Sequence, residues 1–290
     1  MREALPISRL VSAVAMAVLA LLAGGTAVAA DPSPTAKGRF QSKSVWFDVG
    51  SAFAFRGKAF FDKDTNVLIV AVSNGEIWPK PLSRYFDRKR ALETRLKDDE
   101  TALVYFEFSP KGEYRGLSYY LGSGNGCGYC GGGDVDSSVK LSGGKLVGSV
   151  KSSKDKDRTF DIALDVPILS DDHGAALAAG GGAPAKAYLA YHGALVKRDA
   201  AALKPVLSER RLKTYASAAK DQDLDGYIGY LRKEHPVKSV RVTKGFGTAS
   251  EAVLLIEGES EVGKVTGEVV LLNENGSWRV EDEIVQIVLE

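Results

Sequence analysis

Two cysteines three positions apart, Cys127 and Cys130 in the segment Cys-Gly-Tyr-Cys, are the residues whose spacing points most directly to chemistry. This Cys-x-x-Cys spacing is that of dithiol oxidoreductases. A redox pair of this kind needs its first cysteine at a helix N-terminus, which lowers the pKa of the thiol. Seven of the twelve residues from Gly122 to Gly133 are glycine, so the sequence predicts a loop here instead of the start of a helix.

Three roles for the cysteine pair therefore stay open. The loop context favours a local disulfide between Cys127 and Cys130, and this is our prediction. A periplasmic thiol–disulfide enzyme is the alternative, because the tetrapeptide resembles those of some periplasmic disulfide isomerases with the same central Gly-Tyr pair. A metal would need further ligands, and the three histidines lie well beyond the glycine loop: His173, His192 and His235.

A second run with ligand spacing contains Asp221, Asp223 and Asp225, followed by Gly226. These offsets match the start of an EF-hand calcium loop. The twelfth position, where a bidentate glutamate is needed, is Arg232, whose charge would repel Ca²⁺. The run is thus an incomplete calcium candidate, and the alternative is a turn in which Asp221 or Asp223 caps the next helix. The sequence predicts no resident metal and no cofactor.

The charge and the hydrophobic content exclude several classes of protein. The 290 residues include 38 Lys+Arg, 37 Asp+Glu and 44% hydrophobic residues. Apolar content this high describes a folded chain instead of a disordered one. The balanced charge gives no electrostatic reason to expect nucleic acid as a partner.

The N-terminus has the order of a secretory signal peptide over residues 1–30. Arg2 and Arg9 precede the apolar run Leu10–Ala23, and the small residues Ala27–Ala30 follow. The apolar run is shorter than the roughly 20 residues that a membrane span needs. We therefore expect a periplasmic or secreted protein with no stable membrane anchor after cleavage.

The chain divides into two parts at residues 171–184, a stretch rich in glycine and alanine. Gly180–Gly182 and Pro184 disfavour both helix and strand, so a linker is predicted there. Residues 31–170 alternate between apolar and polar side chains and contain several turn sequences, which predicts an antiparallel β sandwich or barrel with strands that include Ser44–Phe55 and 158–167. Asp31–Lys37 is expected to be a mobile lead-in, and Leu82–Leu96 one exposed amphipathic helix.

Residues 185–290 are predicted to form an α+β domain in which helices precede an antiparallel sheet. Asp199 and Ser208 are expected to cap helices, and Asn275-Gly276 is a strong hairpin turn. The predicted helices are Ala185–Lys197, a short one after Asp199, Glu209–Lys220 and Leu224–Glu234, and the predicted strands are Val237–Phe246, Glu251–Glu257, Gly263–Asn273 and Ser277–Val288.

This second domain resembles the exported bacterial members of the nuclear-transport-factor-2-like superfamily. The resemblance is carried by the helical segment Ala187–Leu203 and by the hairpin Leu271–Val280, whose second strand opens with Ser277-Trp278. It implies a cone in which helices lie on a curved four-stranded antiparallel sheet and enclose an apolar pocket. The family contains enzymes, binding modules and assembly domains, so the fold does not decide the function.

Six residues on the predicted helices could line such a pocket: Tyr188, Tyr191, His192, Tyr215, Tyr227 and Tyr230. No catalytic residue can be assigned among them. We therefore predict a non-catalytic binding module of the bacterial envelope, with a small apolar ligand or an envelope protein as partner. An assembly protein that forms a homodimer through the open sheet face is a further alternative.

Overall fold

A computed structural model describes residues 35–42, 45–62, 64–77, 79–96, 101–121, 134–152 and 158–288. Over these residues the protein has a mixed α+β structure with three sheets. The predicted signal peptide and the pair Cys127 and Cys130 lie outside the described residues. Among the helices that are described, none has the length and hydropathy needed to span a bilayer.

Sheet A is half-buried, and its strands follow the alternation that the sequence predicts. Phe160, Ile162 and Leu164 are buried, whereas Asp161 and Asp165 face outward. This confirms the predicted strand at 158–167. The sheet has the order β2-β1-β10-β9-β7, with β8 also paired to β9: β1 (Thr35–Ser42), β2 (Trp46–Asp48), β7 (Val135–Ser137), β8 (Lys140–Ser142), β9 (Lys145–Ser152) and β10 (Arg158–Pro167).

Two expectations for the start of this region are wrong. Thr35–Lys37, expected in a mobile lead-in, belongs to β1 and pairs with β10 through Thr35↔Asp165 and its neighbours. The strand expected from residue 44 to residue 55 is divided at Val49-Gly50, where the chain leaves sheet A and enters sheet B. In both places the strand partner is distant in sequence, so local pattern does not reveal it.

Sheet B lies in the middle of the molecule because both of its faces are apolar. On one face, residues such as Val70, Val104 and Phe106 share a core with sheet A. On the other face, Phe53, Ile69 and others form a second core. Its four strands have the order β3-β4-β5-β6: β3 (Ser51–Lys58), β4 (Asn66–Ser73), β5 (Ala102–Phe108) and β6 (Tyr114–Leu121).

The segment expected to be one exposed amphipathic helix at Leu82–Leu96 is buried and interrupted, so that prediction is wrong. It forms α1 (Pro79–Leu82) and α2 (Arg88–Leu96), separated by residues 83–87. Leu82, Tyr85 and Leu92 are almost fully buried against sheet B, and Val270 and Ile284 from the second half of the chain complete this core. The segment packs here because the second face of sheet B is apolar and has to be covered.

The second half follows the predicted order of helices and strands closely. Asp199 and Ser208 accept backbone N–H bonds from Ala202 and Arg211, which confirms both caps. The helices are α3 (Gly182–Lys197), α4 (Ala200–Leu203), α5 (Glu209–Lys220) and α6 (Leu224–Glu234), and sheet C has the order β11-β12-β13-β14-β15: β11 (Ala175–Ala176), β12 (Val237–Gly247), β13 (Glu251–Ser260), β14 (Lys264–Glu274) and β15 (Ser277–Val288).

The glycine and alanine segment at 171–184 carries secondary structure, contrary to the expectation that it sustains none. Ala175 and Ala176 pair with β12, a 3₁₀ turn covers Ala179–Gly181, and α3 begins at Gly182. Gly180 and Gly181 adopt positive φ, and Pro184 lies in the first turn of the helix, where its missing N–H costs nothing. The residues after Ser33 cluster into one compact unit. Whether the two halves fold independently stays a prediction.

Sheet C is covered on both faces by different neighbours. Leu254, Val269 and Leu271 pack against α3–α6 in a third core. Val270 and Ile284, on the opposite face, contact the core around α1 and α2. The alternation along β14 thus assigns successive residues to two different interfaces.

Candidate functional site

Charged residues converge on β15, the edge strand of sheet C, where Glu281, Asp282 and Glu283 follow one another. Asp282 is directed toward α1 and α2, and Glu283 toward α3–α6. Because β15 has no strand beyond it among the described residues, side chains from both of its faces can be reached around the edge.

Glu283 is a buried carboxylate surrounded by polar side chains. Its Oε1 lies 3.0 Å from Nδ1 of His235 and accepts a bond of 3.3 Å from the Tyr191 hydroxyl. Nδ1 of His235 has no hydrogen-bond partner among the described residues, so this is a close approach and not a hydrogen bond. The guanidinium carbon of Arg211 lies 5.2 Å from the centre of the Tyr191 ring. Glu283 thus lies beside the hydroxyl of Tyr191 and the ring of His235, and Arg211 packs on the far side of Tyr191.

Burial controls the protonation of the side chains around Glu283. Burial lowers the pKa of His235 below its ordinary value of 6.5, and the opposing effect of Glu283 is smaller. Burial also raises the pKa of the Tyr191 hydroxyl far above its ordinary range. Burial acts to lower the pKa of Arg211, but Tyr191 and Glu283 outweigh it and the pKa is raised. At neutral pH we therefore expect a neutral His235, a neutral Tyr191 and a charged Arg211.

Asp282 connects β15 to the first half of the chain. Its Oδ2 accepts a bond of 2.7 Å from the Tyr85 hydroxyl and one of 2.9 Å from Nη2 of Arg95. Burial acts to raise the pKa of Asp282, but Arg95 and Arg211 outweigh it and the pKa is lowered. The carboxylate is therefore held ionised between α2 and the sheet.

The first of two clefts that meet at Glu283 is named here the His235 cleft. It has a volume of about 620 Å³ and lies between α3, the end of α6 and the β12–β14 region. Leu195, Val196, Val237 and Val262 give it an apolar wall. Its cations are Arg232, Lys233 and Lys238, and its floor includes Tyr188, His235 and Glu283.

The second cleft, named the Arg211 cleft, lies on the other side of His235 and Glu283. Its volume is about 510 Å³, and it is formed by α1, α2, α5, α6 and β15. Three residues of its lining have a buried polar atom with no hydrogen-bond partner among the described residues: Nη1 of Arg211, Oε2 of Glu281 and Nδ1 of His235. Nδ1 of His235 lies close to Glu283, but Nη1 and Oε2 are a feature that needs explanation, because buried polar atoms are usually paired.

The six residues predicted to line one pocket are distributed over both clefts and the core. Tyr188 and His192 line the His235 cleft, and Tyr227 and Tyr230 line the Arg211 cleft. Tyr191 is fully buried beside Glu283. The Tyr215 hydroxyl donates a 3.0 Å bond to the Ala200 carbonyl, and its side chain belongs to the core that α3–α6 form with sheet C.

Sequence reasoning did not find His235, Glu283 and Arg211, the residues around which the clefts are organised. The available signal was a run of three acidic residues, 281–283, in the middle of the predicted strand Ser277–Val288. A carboxylate on the inner side of a buried strand requires partners. Those partners come from α5 and from the end of α6, and local sequence does not indicate this pairing.

The three aspartates of the incomplete calcium loop remain exposed around the α5–α6 turn. Asp221 ends α5, Asp223 precedes α6 without a side-chain cap bond, and Asp225 lies in the first turn of α6. An acidic residue in a first turn is favourable because of the helix dipole. Among the described residues, no group of three or more histidine, cysteine or acidic side chains has the arrangement of a metal site.

Comparison of the chain with known protein families and with curated proteins finds no match.

Proposed function

We propose that this protein is an exported, non-catalytic binding module whose His235 cleft holds a small ligand with an apolar body and an anionic group. The observation that carries the proposal is the apolar wall of this cleft beside a cluster of cations. The ring of His235, at the floor of this cleft, contacts the carboxylate of Glu283.

The apolar part of the ligand would lie against Val196 and Val262 at the mouth and Leu195 deeper in the cleft. Val196 and Val262 are 46% and 66% exposed, which is unusual for aliphatic side chains so close together. Exposed apolar surface beside a concavity is typical of ligand sites. Burial of these side chains under an alkyl chain would supply the free energy of binding.

The anionic group of the ligand is inferred from the charges. Arg232, Lys233 and Lys238 face Glu261 and Glu283, so these five side chains carry an excess of one positive charge. Lys238 is 3.6 Å from Glu261, whereas no ion pair of Arg232 or Lys233 is found in the described part of the chain. These two cations could therefore pair with a carboxylate or a similar group.

Isothermal titration calorimetry with dodecanoate, dodecanol and butyrate tests both parts of the ligand. We expect dodecanoate to bind more tightly than dodecanol, which lacks the charge, and more tightly than butyrate, which lacks the long apolar chain. Equal binding of dodecanol and dodecanoate would reject the anionic group. No saturable heat with either long-chain compound would overturn the proposal.

Two variants locate the binding in the cleft. Val262→Asp should weaken dodecanoate binding by about fivefold or more, because it removes apolar contact and adds a like charge. Leu141→Asp is the matched control, since Leu141 is an exposed aliphatic residue of sheet A at 47% exposure. Arg232→Gln combined with Lys233→Gln should weaken binding by about three- to tenfold. Hydrolase or isomerase turnover that disappears in His235→Gln would reject the proposal of a non-catalytic function.

The resemblance to the nuclear-transport-factor-2-like superfamily supports a ligand site in this half of the chain, and the signal-like residues 1–30 support export. The assembly alternative has less support. Val270 and Ile284, on the sheet face that a dimer would use, contact the core around α1 and α2.

A further inference from the structure

We propose that the Arg211 cleft is a second, independent binding site, and that its ligand is a neutral sugar. The cleft lies where helices from both halves of the chain meet, between α2, α5, α6 and β15. Ligand sites are common at such junctions. His235 and Glu283 line both clefts, but this proposal does not rest on the one made for the His235 cleft, because it depends on Arg211, Glu281 and Tyr230 and on a different ligand chemistry.

The first observation is an unmatched donor and an unmatched acceptor in the same cleft. Arg211 is 7% exposed, yet its Nη1 has no hydrogen-bond partner among the described residues. Oε2 of Glu281 also has no hydrogen-bond partner among the described residues, although Oε1 of the same residue accepts a bond of 2.7 Å from Nε of Arg210. Both atoms are buried, so a ligand would have to displace the side chains that cover them; one that then donates to Oε2 and accepts from Nη1 would relieve both penalties. Hydroxyl groups do both.

The second observation is the balance of charge, which selects against an ion as ligand. The cations Arg95, Arg210 and Arg211 face the anions Glu234, Glu281, Asp282 and Glu283, and His235 is neutral. The excess is negative, so an anion that approaches Arg211 would be repelled by the carboxylates around it. A cation finds those carboxylates engaged: Asp282 with Arg95 at 2.9 Å, and Glu281 with Arg210 at 2.7 Å. A neutral ligand rich in hydroxyls meets neither obstacle.

The third observation is a pair of tyrosines that provides an apolar surface for the ring of a sugar. Tyr230 is 54% exposed at the cleft, which leaves much of its ring accessible. Tyr227 is held by an edge-on contact with Tyr215, with ring centres 6.4 Å apart. Aromatic side chains combine a rigid apolar face with a hydroxyl, and sugars present C–H groups on one face and hydroxyls at the rim.

The test uses the full chain and two neutral probes, N-acetylglucosamine and glucose, followed by ¹⁵N-resolved NMR. We expect saturable shifts in the millimolar range at residues of α5 and α6, with no shift at Val262. Inorganic phosphate and choline are tested in parallel. A site that saturates with phosphate or with choline, but not with the sugars, would overturn the neutral-ligand assignment, and no saturation by any sugar would overturn the site.

Two variants separate the site from general effects. Tyr230→Ala should weaken sugar binding by about fivefold, because the stacking surface is lost while an exposed side chain leaves the fold intact. Phe61→Ala is the matched control, since Phe61 is an exposed aromatic residue, 70% accessible, in the loop after β3. Unchanged affinity in Tyr230→Ala would contradict the proposal.

Arg211→Lys keeps the charge but removes Nη1, and it should weaken sugar binding by about fivefold. Because Arg211 is buried, the melting temperature of this variant is measured as well. If Arg211→Lys does not fold, Tyr230→Ala still decides the question. In Tyr230→Ala, dodecanoate binding in the His235 cleft should be unchanged, so that failure of one site is distinguishable from failure of the other.

Discussion

The two faces of sheet C are covered by different kinds of contact. Toward α3–α6, Leu254, Leu271 and Val280 are completely buried in an apolar core. Toward α1 and α2, Val270 and Ile284 share the interface with Glu268 and Asp282, whose carboxylates accept bonds from the helical segment. Apolar burial stabilises without regard to direction, whereas hydrogen bonds to a carboxylate define one orientation. One face of sheet C therefore packs in an apolar core. The other face forms an interface whose orientation is defined by hydrogen bonds.

Truncation on the apolar face should have the largest effect. Leu254→Ala should lower the free energy of unfolding by about 2–5 kcal/mol, because it opens a cavity in a closely packed core. On the mixed face, Val270→Ala should cost only about 2 kcal/mol, the value for two methyl groups. Urea unfolding of both variants tests this. If Val270→Ala lowers the free energy of unfolding more than Leu254→Ala does, the interface of sheet C with α1 and α2, and not the one with α3–α6, is the main source of stability.

Gly181 provides the next test, because it contacts the same apolar face. A Cβ at Gly181 would lie 3.0 Å from Cγ1 of Val242 and 3.1 Å from Cδ2 of Leu254, at a φ of +78°. Gly181→Ala should cost about 2–4 kcal/mol from the positive φ and the overpacking together. Gly180→Ala is the matched control: its φ is +76°, but a Cβ there meets nothing within 4 Å. Equal losses in thermal unfolding would mean that packing at Gly181 contributes nothing.

On the mixed face, the carboxylate of Glu268 accepts bonds of 2.8 Å from the backbone N–H groups of both Phe86 and Asp87. Glu268→Gln replaces one acceptor oxygen by a donor and should cost about 1–3 kcal/mol. Burial raises the pKa of Glu268, so its protonated form is favoured by folding, and the wild type should lose this contribution as pH rises through the raised pKa. The variant should lack that pH dependence. Unfolding curves at pH 4 and pH 7 decide between these outcomes.

The smallest expected effect concerns His235, at the end of the helical face. Its folded pKa is lowered, so the unfolded state binds a proton more readily, and stability should fall as pH decreases below the ordinary value of 6.5. His235→Gln should therefore reduce the decline in melting temperature between pH 7 and pH 5.

His192→Gln, a change in the other histidine of the same cleft, is the control for this pH series. A decline in melting temperature that is identical in wild type and His235→Gln would show that burial of His235 does not contribute to acid sensitivity.

Local pattern predicted the elements of this protein well. The alternation in 158–167, the caps at Asp199 and Ser208 and the four long strands of sheet C follow from side-chain period and turn chemistry, which act over a few residues. The six predicted pocket residues lie in the predicted helices, but the prediction of one common pocket did not anticipate two clefts separated by His235 and Glu283.

By itself, the sequence determined most of the helices and strands of the second half, because that information is carried by neighbouring residues. Only the tertiary structure decided which faces meet. The burial of Leu82–Leu96 depends on the apolar second face of sheet B, and the surroundings of Glu283 depend on α5 and the end of α6. These partners are distant along the chain, and their pairing follows from the requirement that apolar faces be covered and buried charges be satisfied.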